Sequence, residues 1–191
     1  MKLNTLSSQV TVLSTVAYHK DPSVQIWNKL HVNLTQQQLH MATMQAFYVL
    51  AQPSFQRLKH HTKGDHQQEV VMASMAETAV SIALGISNDV GDYNEGDLDG
   101  NIEVRYSSLE NGGLLCRPTD KLHRPFIFVT GEGSSFTIHG FEIGTNVEKR
   151  GRSVGSDQWA CWVLDRDDLL PIGGILSEYY RQRGNIMFSG T

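Results

Sequence analysis

The chain has 191 residues, 40% of them hydrophobic and 19% charged, which excludes an intrinsically disordered polymer and suits one domain with a real core. No apolar run approaches the roughly 20 residues that a membrane-spanning helix needs. A formal net charge of −4 argues against a broadly basic, non-specific nucleic-acid binder.

That charge is unevenly spread. Residues 1–70 carry six Lys/Arg against three Asp/Glu, together with six of the eight histidines. Residues 71–110 carry Arg105 alone against Glu77, Asp89, Asp92, Glu95, Asp97, Asp99, Glu103 and Glu110. Residues 111–191 balance. An acidic block of this kind either solvates a loop or gathers a divalent cation, and a bound cation locally reverses the sign of the field.

The opening stretch lacks the continuous apolar region and small-residue cleavage site of a secretory leader. Only Cys116 and Cys161 occur, each in a strand-like run, so both are expected as reduced core residues of a cytoplasmic protein. Residues 8–18 predict a β-rich or irregular lead-in. Asp21-Pro22-Ser23 predicts a turn or a helix start.

From Thr35 the segment "TQQQLHMATMQAFYVLAQP" spaces Leu39, Met41, Met44, Phe47, Tyr48 and Leu50 at helical intervals, and Pro53 ends or kinks it. Its residues Met44, Phe47, Val49 and Leu50 are expected to bury themselves against the core or a partner subunit. His60, His61 and His66 belong to a polar linker whose spacing fits no zinc pattern. A second helix is predicted over 67–84, with Gly85 as its C-cap.

After Gly85 the texture turns to β. Asp99-Gly100 and Asn111-Gly112 are hairpin signals around "NIEVRYSS", followed by "GLLCRP", "PFIFVTGE" and "SFTIHGFEIG". These predict a mixed sheet containing 101–108, 113–117, 125–131 and 136–143. "GEGSSF" lacks the features of a phosphate-binding loop and reads as a turn. "KRGRSVGSDQ" is a polar loop, "WACWVL" another strand, and "DRDDLLPI" a short turn or helix. Trp159, Trp162 and Phe141 read as core aromatics.

The chemistry-bearing stretch is "GDLDGNIEVR". Alternation of period two places Glu103 and Arg105 on one strand face and Ile102 and Val104 on the other. This is either a solvated edge strand or a site. Two carboxylates from neighbouring strands can hold one Mg²⁺ and leave positions open for a phosphate oxygen and a water. Glu77 lies mid-helix among Ala76, Ala79 and Ala83, whose small side chains let that helix approach a sheet closely. Lys149, Arg150 and Arg152 form a basic loop suited to phosphate, and Arg117 suits either a phosphate or an ion pair with Asp120.

The order of "AETAVSIALG", "GDLDGNIEVR", "GGLLCRP", "RPFIFVTGEGSSFTIHGFEIG" and "WVLDRDDLLPI" resembles small phage and bacterial members of the PD-(D/E)XK, restriction-endonuclease-like nuclease superfamily, over about residues 70–172. The resemblance implies an α/β (α+β) fold: a restriction-endonuclease-like core with a mixed β-sheet flanked by helices. A partly helical N-terminal extension over 1–66 would precede a nuclease-like domain over 67–191. It implies a phage-encoded, Mg²⁺-dependent endonuclease hydrolysing DNA phosphodiester bonds in the cytoplasm, with Mn²⁺ able to substitute.

Matched position by position, the family's helix glutamate is Glu77, its hairpin aspartate is Asp97 with Asp99 as the alternative, and its acid-x-lysine pair is Glu103 and Arg105. Arginine stands where the family has lysine, and Gly96 stands where it has proline. Arginine clamps phosphate but shuttles protons poorly. The alternative is therefore an inactive nuclease fold retained for binding, an inhibitor or adaptor of a host nucleic-acid enzyme. A homodimer is expected if both DNA strands are cut.

Overall fold

The computed structural model describes residues 9–18, 21–52, 66–86, 88, 97–109, 111–156 and 160–175. In chain order the elements are β1 (Gln9–Tyr18), β2 (Asp21–Asn33), α1 (Gln36–Ala51), α2 (His66–Leu84), β3 (Glu103–Ser107), β4 (Leu114–Cys116), β5 (Pro125–Glu132), β6 (Ser135–Ile143), α3 (Gly144–Arg150), β7 (Arg152–Val154) and β8 (Cys161–Leu164). A 3₁₀ turn follows over Arg166–Asp168. The architecture is mixed α and β, with a mixed five-stranded sheet ordered β1-β2-β6-β5-β3 and a separate antiparallel sheet ordered β4-β8-β7.

The two helices with clear sequence signals have clear ends. Thr35 caps α1: its hydroxyl accepts the Gln38 N–H at 3.3 Å, and the Gln38 side chain accepts the Thr35 N–H at 2.8 Å. This reciprocal pair satisfies two otherwise orphaned donors. Gly85, at φ 64, ends α2 in the left-handed conformation, and the Ile86 N–H turns back to the Ser81 carbonyl at 3.1 Å. That bond and the burial of Ile86 complete a Schellman-type stop.

Three expected sheet strands, 101–108, 125–131 and 136–143, fall on β3, β5 and β6 of the main sheet. The fourth, 113–117, does not join them. As β4 it pairs with β8 in the second sheet. The Asn111-Gly112 turn therefore links two sheets rather than closing a hairpin. The region at Asp21-Pro22-Ser23 opens β2, whose register with β1 runs from Gln9↔Asn33 to Tyr18↔Asp21. Proline is tolerated at a strand's start because the ladder loses little there. β2 then pairs with β6 through Leu30↔Ile138 to Asn33↔Ser135, so N-terminal residues contribute to the main sheet. The expected polar loop at 149–158 holds the end of α3 and the short strand β7.

β5 joins two apolar clusters. Ile127 and Val129 face a cluster with Leu30, Ala76, Val80 and Val104, while Phe126 and Phe128 face Leu114, Cys116, Val147 and Leu164. A strand buried on both faces reads as a continuous apolar run, which is what "PFIFV" is. The two cysteines are free thiols.

The core alternative of one burial expectation fails. Met44 and Phe47 of α1 are 55% and 53% exposed in the chain. The inward face of α1 is instead Ala42 and Ala46, both fully buried, with the Ser74 hydroxyl of α2 donating to the Ala42 carbonyl at 3.0 Å. Backbone-to-hydroxyl contact at that range leaves no room for methionine or phenylalanine between the helices.

Candidate carboxylate and arginine site

The site grows from the edge strand. β3 is the outermost strand of the main sheet and runs parallel to β5. Val104 turns into the cluster under α2, so its neighbours Glu103 and Arg105 turn to the opposite face. There their register partners are Phe126 and Phe128. The Arg105 guanidinium lies over the Phe126 ring, 5.0 Å from its centroid.

The turn before β3 delivers the aspartate. Asp99 at φ 47 and Gly100 at φ 68 adopt the left-handed pair of a type I′ turn, closed by the Asn101 N–H on the Leu98 carbonyl at 3.1 Å. Leu98 bridges to Ile102, and both are fully buried. The chain is thereby folded back along the strand edge, and Asp97 Oδ2 accepts the Val104 N–H at 2.6 Å. Asp99 occupies the turn itself.

Around Glu103 the charges close into a network. Arg124 donates to Glu103 Oε1 at 2.6 Å, and Arg105 stands 3.6 Å from Oε2. Arg105 also pairs with Asp120 at 2.9 Å. The Asp120 carboxylate accepts the Arg117 backbone N–H at 2.8 Å as well. The ion pair expected between Asp120 and Arg117 is thus made with Arg105 instead.

Glu77 approaches from α2. Burial, then the neighbouring charges of Asp97 and Glu103, holds its carboxyl well above the ordinary range, with Arg105 opposing. Asp97 is raised from 3.8 to about 6 by burial and by Glu103, against the Val104 N–H, Arg105 and Arg124. Four residues singled out by the sequence, Glu77, Asp97, Glu103 and Arg105, therefore share one electrostatic environment.

They do not share one face. Glu77 comes from the α2 side of the sheet, Glu103 and Arg105 from the other, and Asp97 lies along the edge between them. Among the described residues, no three His, Cys, Asp or Glu side chains lie close enough together to hold a metal ion. The donor chemistry still suits a hard divalent cation, because every candidate ligand is a carboxylate oxygen. The arginines satisfy Glu103, while the raised Glu77 and Asp97 remain short of positive charge.

The basic residues fare differently. Arg150 donates to the Glu142 carboxylate at 2.7 Å and to the Asp168 carbonyl at 3.1 Å, anchoring α3 to β6 and the 3₁₀ turn. Arg152 stands 4.0 Å from Asp165, and both are well exposed. Lys149 is exposed in the last turn of α3. Arg117 is exposed just after Cys116, whose thiol is pushed up to about 12 by burial and feels Arg105, Asp120 and Glu103. Of these four basic residues, Arg117 meets the network through its backbone N–H on the Asp120 carboxylate. His60, His61 and Trp159 lie outside the described residues.

Sequence reading missed Arg124 and the buried Glu142, and it set Asp120 against Arg117 where the structure sets it against Arg105. Arg124 and Glu142 did carry a signal: each is a charge directly against or inside an apolar strand, where a partner is obligatory.

The chain matches no protein-family model, no curated protein and no solved structure.

Proposed function

We propose that the chain is a Mg²⁺-dependent endonuclease-like protein acting on DNA phosphodiester bonds, built on a restriction-endonuclease-like core. The observation that supports it is the mutual electrostatic influence of Glu77, Asp97, Glu103 and Arg105, drawn from a helix, a turn and a strand, at the half-buried edge of β3. In this reading Asp97 and Glu103 hold the cation, with Mn²⁺ able to substitute, and Glu77 binds it directly or through water. The cation supplies Lewis-acid polarisation of the phosphate and a more acidic water. Arg105 clamps a phosphate oxygen, and Asp120 orients Arg105 for that role. Arg117 extends the positive edge towards the flanking phosphate.

A second reading rests on a different observation. Glu103, Arg105, Arg124 and Asp120 already neutralise one another, which suits a nuclease fold kept as a binding protein, the inhibitor or adaptor of a host enzyme. Calorimetric titration with Mn²⁺, paired with nicking of supercoiled plasmid, separates the two. The nuclease reading expects Mn²⁺ heat in the wild type, none in Glu103→Gln, and faster nicking in Arg105→Lys. Absence of both heat and nicking in all three proteins would leave the binding reading standing.

A further inference from the structure

The outward face of α1 carries Met41, Met44, Phe47 and Tyr48, exposed by 62, 55, 53 and 59%. Positions 41, 44 and 48 follow the three-then-four spacing of a helix-packing seam, and Phe47 widens it. A contiguous apolar face of this kind marks an interface. α1 is a cover on α2 by its other face, so this stripe is not a core in waiting.

The chemistry of the stripe selects its occupant. From Leu30 to Gln56 there is no Asp, Glu, Lys or Arg, in a chain that is 19% charged. Nucleic acid is disfavoured, because no cation is present to meet phosphate. A membrane surface is disfavoured too, since interfacial helices flank their apolar face with Lys and Arg. A two-fold dimer sets the opposite requirement. It brings the same patch against itself, so any charge near the axis would meet its own copy. A charge-free helix with a self-complementary Met and aromatic seam meets that requirement, and methionine adapts its shape to a copy of itself.

We propose that α1 is a self-association face: two copies of this chain pack α1 on α1 across a two-fold axis, with Met41, Met44, Phe47 and Tyr48 at its centre. This inference is independent of the carboxylate site.

The test is sedimentation velocity of the full chain over a wide concentration range, for the wild type and for Met44→Glu and Tyr48→Lys. The wild type is expected to sediment as twice the 21.3 kDa monomer at high concentration and to dissociate on dilution. Each charged variant is expected to weaken association about tenfold or more, because a buried unpaired charge is left at the axis. Both side chains are exposed in the single chain, so at concentrations where the wild type is dissociated the far-UV spectrum and urea midpoint should not move, and either variant suffices. A wild type that stays monomeric overturns the proposal. In that case oxidative footprinting of Met41 and Met44 identifies the alternative: protection means that the chain's own segments cover the face, and reactivity means that a different protein takes it. A dimer that survives both substitutions places the interface elsewhere and also overturns it.

Discussion

Removing the Arg124 guanidinium would take from the 13%-exposed Glu103 carboxylate its 2.6 Å partner and leave it the longer 3.6 Å contact with Arg105. Breaking a buried pair from one side leaves an uncompensated charge and costs about 3 kcal/mol, whereas removing both partners costs much less. Arg124→Met is therefore expected to lower unfolding stability by about that amount. The double variant with Glu103→Gln should recover a large part of the loss, as measured by urea unfolding of all four corners of the cycle. Additive losses would show that Arg124 matters for packing and not for charge.

Asp97 gives a prediction of opposite sign to the usual carboxylate. Its folded pKa is raised from 3.8 to about 6, so the folded protein holds this proton more tightly than the unfolded chain does. Below about pH 4 both states are protonated and there is no penalty. Between about pH 4 and 6 the unfolded chain gives up the proton first, and stability falls as pH rises, by up to about 3 kcal/mol. Asp97→Asn keeps an oxygen for the Val104 N–H but has nothing to ionise. In a metal-free buffer its stability advantage over the wild type should open across that window and then stay constant. An advantage that is flat from pH 4 to 7 would contradict the raised pKa.

Among the elements, Gly140 shows how tightly β6 is tied to the chain's later turns. It stands at φ 150, and a Cβ there would meet the Leu170 carbonyl at 2.5 Å, beside the bridge of Phe141 to Leu170. Neither the conformation nor the space accepts a methyl group. Gly140→Ala is expected to cost about 2 kcal/mol or more, visible as a shifted urea midpoint with an unchanged slope. A cost within a few tenths would mean that the 166–170 turn shifts freely.

The same elements show what the sequence made legible. α1, α2, β5 and β6 were readable because their signals are local: a following proline, a terminal glycine, and apolar runs of helical or strand period. That Glu77, Asp97, Glu103 and Arg105 share one electrostatic environment was legible from the helix, turn and strand that carry them. What escaped depends on partners far along the chain. Nothing in "LLC" says that its hydrogen bonds go to β8 rather than β3. α3, "GTNVEKR", is held by the buried Glu142 through Arg150 and Asn146, a tertiary support that no helical period announces. The inward face of α1 was misjudged because bulk was weighed and closeness was not. Alanines win where two backbones must nearly touch.

At the scale of the whole molecule, the candidate site draws on three separate elements, and only the folded chain puts Glu77 under the influence of Asp97 and Glu103. A cation held there binds the folded state alone and must stabilise it by mass action, by about 2.7 kcal/mol at a hundred times its dissociation constant. In a domain of this size each kcal/mol moves Tm by about 2–4 °C. Binding also requires that Asp97 and Glu77 release protons, so affinity should rise with pH through and above about 6. Each coupled proton contributes a factor of about ten per pH unit below the relevant pKa. The expected result is a Mn²⁺-induced rise in Tm that is small at pH 5, large at pH 7.5, and accompanied by a heat that varies with the buffer's ionisation enthalpy. Glu77→Gln should be more stable than the wild type without metal, since its costly buried charge is gone, and should show a smaller metal response. A Mn²⁺ shift of equal size at both pH values, or one retained in full by Glu103→Gln, would place the cation elsewhere on the protein and remove the support for hydrolytic chemistry at the β3 edge.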